Sequence, residues 1–245
     1  MIKHLSISQL DTYGRCGEVY RRRYFEGEII PPGLPARIGS GVHKGAEVNF
    51  KAKITTGQDE PLDVIQDAAA EAYTKELGKG VFFSPEEAPG AKLAMAEGKD
   101  TVVSLATLFR RDLAPQIQPL LVEEKVIIDI PGVELPVVTI LDCYTQTKAL
   151  RDLKTAGKKW AEEKAHSSHQ PTAYREAIKT VTGEYPESIC FDVLVSSKTP
   201  SLQTLPTFRN EDDLTILIRK FNLMLAGINA GIFPPAEPGS WMCSP

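Results

Sequence analysis

The sequence predicts an α/β protein, with a helical N-terminal half leading into a central mixed β-sheet flanked by helices. Three observations predict it. Over residues 1–118 apolar side chains recur at three- and four-residue spacing, the period of a half-buried helix. After Pro119 the texture changes to Val- and Ile-rich runs, the composition of strands. A helical pattern then separates the third such run from a fourth, and another follows it, which gives the order β-β-β-α-β-α. The 245 residues are read as one domain, with 1–118 helical and 119–245 carrying the sheet. A chain of this length suits one large domain, and it contains no internal repeat.

The elements follow in order. The first helix opens at "SISQLD", where Ser8 with Asp11 fits a capping box and Ser6 with Gln9 is an alternative. Leu10, Tyr13, Cys16, Tyr20 and Tyr24 give it one apolar face. Residues 29–41, "IIPPGLPARIGSG", read as a loop by their Pro and Gly density. Helices are expected over 41–54, 61–79 and 91–114. "LLVEEKVIIDI" and "VELPVVTILDCY" are strands joined at Pro131-Gly132, and "KALRDLKTA" is a third. "HQPTAYREAIKTV" is a helix ending near Gly183. "ESICFDVLVSS" is the fourth strand, and "DDLTILIRKFNLMLAGINAG" an amphipathic helix. The tail from Phe233 is irregular.

Composition excludes several classes. Hydrophobic residues make up 42% and charged residues 24%, ordinary for a globular protein. No stretch approaches the roughly 18 apolar residues that span a bilayer, and "MIKHLSISQLD" lacks the apolar core of a signal peptide. The four cysteines, at 16, 143, 190 and 243, form no short-spaced pair. This argues for a reducing cytoplasm and against a disulfide framework. The net charge of −4 is uneven: residues 1–53 carry nine Lys/Arg against five Asp/Glu, and residues 148–179 eight against four. Two basic segments on an acidic body would suit a polyanion, and two solvated helix faces would look the same.

Asp142 ends the second apolar strand, and Asp152 and Lys154 follow on the next. Strand side chains alternate with period two, so Asp152 and Lys154 share a face. They could form a solvated ion pair on a strand edge. A hairpin turning near "TQTK" would instead bring Asp142 opposite the Asp152 region. Two close buried carboxylates repel each other unless a cation lies between them. Oxygen ligands with a few waters suit Mg²⁺, and a lysine beside them can stabilise charge growing on a phosphate. Such a set fits metal-assisted cleavage of a phosphodiester.

With Asp142 and Asp152-Leu153-Lys154-Thr155 in place, the chain resembles the PD-(D/E)xK nuclease superfamily. It is most similar to the branch related to the RecB nuclease domain and to Cas4 exonucleases. "GSGVHKGAE" resembles the branch's Gly-x-x-x-His helix, with His43 as the histidine. "HQPTAYREAI" resembles its Gln-x-x-x-Tyr motif, with Gln170 and Tyr174, and "SISQLDTYGRCGEVYRRRYF" its opening helix. The resemblance implies a restriction-endonuclease-like core and a Mg²⁺- or Mn²⁺-dependent deoxyribonuclease. Its implied metal ligands are Asp142, Asp152, the Leu153 carbonyl and His43, the last otherwise a satisfied core histidine. Lys154 would serve the attacking water or the transition state. Gln170 would position the Lys154 strand or the substrate, and Tyr174 would contact DNA or fill the core. Glu123 or Glu124 could add a carboxylate, and a solvated edge suits at least one of them. Arg15, Arg21, Arg22 and Arg23, with Lys158 and Lys159, would hold phosphates. Trp160 would stack on a base or act as a core residue or lid.

Two departures accompany the resemblance. Thr139 stands where the family often has a glycine shortly before the first acid. Cys16 and Cys243 lie where the outer ligands of the branch's [4Fe–4S] cluster would be, but the rest of the trio is absent. A cluster would need a further C-terminal tail; otherwise the two cysteines merely lie near each other. Cys143 and Cys190 read as small buried hydrophobes. The function expected is an exonuclease of recombination, repair or phage DNA processing. It would act on linear DNA ends or single strands in a bacterial or phage-infected cytoplasm, beside a recombination or single-strand-annealing partner. A Cas4-like accessory trimming factor and a degenerate DNA-binding subunit are the alternatives.

Overall fold

The computed structural model describes residues 2–238 and residue 240. The chain begins with helix α1 (Ile7–Arg15), whose N-cap is Ser6: its hydroxyl accepts from the Gln9 N–H. Of the two capping choices, the structure takes Ser6. Cys16 is extended and breaks the helix there, so the basic run forms a separate helix α2 (Gly17–Arg21) continued by one wide turn, Arg22–Glu26.

Helix α3 (Leu34–Thr56) begins seven residues earlier than the Pro and Gly density implied. Pro35 is harmless because the first-turn N–H groups have no intrahelical acceptor. The glycines survive inside the helix because α4 (Leu62–Leu77) crosses too closely for side chains. A Cβ on Gly41 would stand 2.8 Å from the Ala69 carbonyl oxygen, and one on Gly45 2.9 Å from that of Ile65. Gly41→Ala is therefore expected to reverse the usual sign. The change favours an isolated helix by about 1 kcal/mol, but here it should destabilise the fold by about 1–3 kcal/mol. A lower urea midpoint at unchanged slope would check this.

Helix α5 (Ala91–Leu108) completes the helical half, and a further wide turn, Phe109–Leu113, leads to the sheet. Strands β1 (Pro119–Ile128), β2 (Val137–Thr145) and β3 (Ala149–Ala156) form an antiparallel meander. The β2–β3 turn falls at "TQTK", with Lys148 left-handed at φ 56° in the position that often takes glycine. Helices α6 (Glu162–Ser167) and α7 (Gln170–Thr182) then cross to β4 (Ser188–Val195), which pairs parallel to β3. A fifth strand that the sequence did not reveal, β5 (Ser201–Thr207), returns antiparallel to β4. Its Gln, Thr and Pro obscure the strand signal; Pro206 is tolerated because β5 is a sheet edge, where one set of N–H groups needs no partner. Helix α8 (Glu211–Asn229) starts from a complete capping box, Asn210 with Asp213.

The sheet order is β1-β2-β3-β4-β5, a mixed sheet flanked by helices with the restriction-endonuclease-like arrangement. One core, around Leu10, Leu141, Tyr174, Ile178 and Phe221, joins the sheet to α1, α7 and α8. A second, around Val42, Phe50, Tyr73 and Leu105, joins the opposite face to α3, α4 and α5 through Val122, Cys143, Leu153 and Leu194. Among the described residues no helix is long and apolar enough to cross a membrane.

Candidate active site

The site forms where the β2–β3 ladder ends. The two strands pair at Tyr144↔Leu150 and Cys143↔Arg151, and the next step would set Asp142 against Asp152. There the backbones part, and the Asp142 side chain takes the ladder's place: its Oδ2 accepts from the Leu153 N–H at 2.9 Å. That bond fixes the carboxylate's orientation. On the neighbouring strand the β1–β2 register skips the pair Glu123 and Asp142. Glu123 is left-handed there, at φ 51°, a conformation costly for a residue with a Cβ and concentrated at functional sites. Around this point side chains exchange faces. Val126, Ile128 and Leu141 belong to one core, Val122 and Cys143 to the other.

The distortion brings Glu123 to Asp142. His43 of α3 joins them, with Nδ1 3.7 Å from Asp142 Oδ2 and 3.8 Å from Glu123 Oε1. The three side chains offer ligand atoms within 4.8 Å of one another. Burial opposes the charge on His43, but Glu123 and Asp142 outweigh it and the imidazole titrates above its ordinary value. Burial likewise pushes the Asp142 carboxyl up, against the pull of His43 and Lys154.

Asp152 lies outside this triad. It is 1% exposed and its Oδ2 lies 2.6 Å from Lys154 Nζ. Beside the ammonium, the Tyr174 hydroxyl also faces the Asp152 carboxylate. Burial raises its carboxyl to about 6, with Lys154 pulling the other way. For Lys154 burial disfavours the charge, but Asp152 and Asp142 hold the ammonium above its ordinary value. A lysine side chain only 26% exposed beside a buried acid is unlike a solvated edge pair. Hard oxygen donors and one imidazole, two of the carboxyls disfavouring their own charge, fit a divalent cation.

On the far side of Asp152, α7 supplies Tyr174, 2% exposed, whose hydroxyl accepts from Gln170 Nε2. Burial, then the charges of Asp152 and Asp142, push its phenol well above its usual range. It faces the core and offers no surface to a nucleic acid. Trp160 is similarly occupied: its backbone is clasped at both ends by the Gln203 amide, and its ring lies between Phe191 and Lys164.

The basic residues expected to hold phosphates lie elsewhere. Arg21 pairs with Glu18 and Glu26, and Arg22 with Glu18 and Glu28. Arg23 stacks on Tyr24. Arg15, Lys158 and Lys159 are exposed and do not line the cleft at the triad. Glu124 points to solvent, leaving Glu123 as the inward acid of that pair. Cys16 is buried and accepts from the Ala236 N–H; Cys243 lies outside the described residues. Cys16, Cys143 and Cys190 are all unbridged.

Relatives agree with this architecture. A family model described as the PD-(D/E)XK nuclease superfamily matches residues 4–244. No curated protein matches the chain. Among solved structures, an exonuclease candidate from Eubacterium rectale superposes with a TM-score of 0.62 at 13% identity. It covers 98% of this chain and 87% of that one, and speaks for the fold. A second structure, SSO0001, is 9% identical with a TM-score of 0.35, covers 91% of this chain and 86% of its own, and carries no argument. A match spanning almost the whole sequence, on a fold of the same kind, means that the chain belongs to the PD-(D/E)XK nuclease superfamily.

Proposed function

We propose that the chain is a divalent-metal-dependent deoxyribonuclease that works as an exonuclease, in the branch related to the RecB nuclease domain and Cas4. The observation that carries the reading is the convergence of His43, Glu123 and Asp142 beside the buried Asp152–Lys154 pair. Residues 1–245 would act as one domain in the cytoplasm of a bacterial or phage-infected cell. Its role would lie in recombination, repair or phage DNA processing, beside a recombination or annealing protein.

Glu123, Asp142 and His43 would hold the cation, with Asp152 as a further oxygen donor. When bound, the cation polarises phosphoryl oxygens and lowers the pKa of an attacking water. The chain supplies the rest. The Leu153 N–H holds Asp142 in one rotamer. Lys154 sets a positive charge where negative charge grows on phosphorus, and Asp152 holds that ammonium in place. The Gln170–Tyr174 pair backs Asp152 from the core. Water attacks phosphorus in line, and the bond to the departing oxygen breaks.

End-labelled linear DNA and covalently closed circular DNA, incubated with Mg²⁺, Mn²⁺ or EDTA, test the reading. Degradation of the linear form alone, abolished by EDTA, is expected. Cutting of the circle would make the enzyme an endonuclease. Binding without cleavage in any metal would overturn catalysis in favour of a binding subunit.

A further inference from the structure

Strand β3 is held unevenly where it carries the site. Towards β2 its pairing stops at Cys143↔Arg151, whereas towards β4 it runs from Ala149↔Ser188 to Ala156↔Val195. The Leu153 N–H that orients Asp142 therefore takes its place from β4, where Leu153 is paired with Asp192. Asp192 is 1% exposed, and Arg151 grips it from β3. Nε donates to Oδ2 at 2.7 Å and Nη2 to Oδ1 at 2.6 Å. Thr204 of β5 donates to the same Oδ1 at 2.7 Å. The pair thus braces three strands beside Leu153, reaching from the residue two before it to its partner across the ladder.

The surroundings of this pair are largely apolar. Leu153 and Cys143 of the sheet and Phe50 and Leu113 of the helical half line the same small space. In such a place an ion pair is often no more stabilising than well-packed apolar side chains of the same volume, so stability alone does not account for it. The space has a volume of about 10 Å³, at the lower limit for a single water. His43, Glu123 and Asp142 line it as well as Arg151 and Asp192. The brace and the triad therefore face each other across very little room.

We infer that Arg151 and Asp192 are positioning residues for the metal centre. They fix Leu153 against β4, so that its N–H meets Asp142 and holds that carboxylate in the orientation a cation needs. The inference rests on the metal-dependent nuclease reading. It adds to that reading two residues that touch neither the cation nor the substrate.

The test sets Mn²⁺ affinity, measured by calorimetry, beside thermal stability in Arg151→Met/Asp192→Leu. This double variant replaces both charges with apolar side chains of similar size, and the exposed Thr204 can turn its hydroxyl to water. Its thermal midpoint without metal should equal or exceed that of wild type, while its Mn²⁺ affinity should fall about 10-fold. Loss of a partner one step from a metal ligand typically costs 10–100-fold, and the lower end applies because the brace acts through Leu153. Arg151→Lys keeps the charge but not the two-pronged grip, and should fold as wild type and bind Mn²⁺ with intermediate affinity. A folded double variant with wild-type affinity would overturn the inference and leave the pair as a sheet brace alone. If the double variant does not fold, Arg151→Lys decides: weaker Mn²⁺ binding at an unchanged midpoint sustains the inference, and wild-type affinity overturns it. Wild type that binds no Mn²⁺ would overturn the metal reading and the inference with it, whereas binding that neither substitution changes would overturn the inference only.

Discussion

Asp142→Asn is expected to yield a folded protein that neither binds Mn²⁺ nor cuts DNA. The amide keeps the shape of the side chain and can still accept the Leu153 N–H that now reaches Oδ2. What it loses is the charge between His43 and Glu123. Substitutions one shell farther from a metal typically cost 10–100-fold in affinity, so loss of a direct ligand should exceed about 100-fold. Stability should move the other way. Burial disfavours the ionised carboxyl in the fold, so at pH 7 that charge costs stability, and the neutral amide removes the cost. The thermal midpoint without metal should equal or exceed that of wild type, while the rise on adding Mn²⁺ should vanish. Glu124→Gln, on the exposed neighbour of Glu123, is the control and should keep both metal binding and cleavage. An Asp142→Asn protein with wild-type Mn²⁺ affinity would remove Asp142 from the ligand set.

Much of the scaffold around that site was legible because its signals are local. The Val- and Ile-rich runs, the turn at "TQTK" and the period of α7 and α8 each lie within one element, and they suffice to oppose Asp142 to Asp152. The ion pairs of Arg21 and Arg22 were also readable in principle. Glu18 stands three and four residues before them, the spacing of facing helix positions, so counting charge alone overstated that segment as a phosphate clamp. Glu123 was not legible as the triad's acid. Its selection over Glu124 depends on one left-handed residue, and nothing in "LVEEKV" demands that conformation. The early start of α3 was hidden for a related reason. Gly41 and Gly45 look like breakers until α4, some twenty residues later, is seen to need the space.

Lys154→Ala is expected to slow single-turnover cleavage by about 10²–10³, the usual cost of removing one preorganised charge aimed at a developing oxyanion. If Lys154 only balanced Asp152 on a solvated edge, the change would cost roughly 0–1 kcal/mol of stability and nothing in rate. The geometry argues against that: the partner oxygen is 2.6 Å away on a carboxylate 1% exposed. Removing the ammonium leaves a buried acid without its cation. That can cost up to roughly 3–5 kcal/mol, lessened because Asp152, already raised to about 6, can take up a proton. A rate loss alone could therefore reflect partial unfolding. The decisive measurement is the rate at saturating enzyme, taken well below the variant's own thermal midpoint, beside DNA affinity in Ca²⁺. Affinity should change far less than rate, since one cation among the many that hold a phosphate backbone is lost. Lys154→Ala/Asp152→Asn checks the stability cause alone: it removes the orphaned charge, so the thermal midpoint should return, while its rate stays low because Asp152 is also a proposed oxygen donor. A double variant that regains the rate together with the stability would show that Lys154 serves only to neutralise Asp152 and that Asp152 is no ligand.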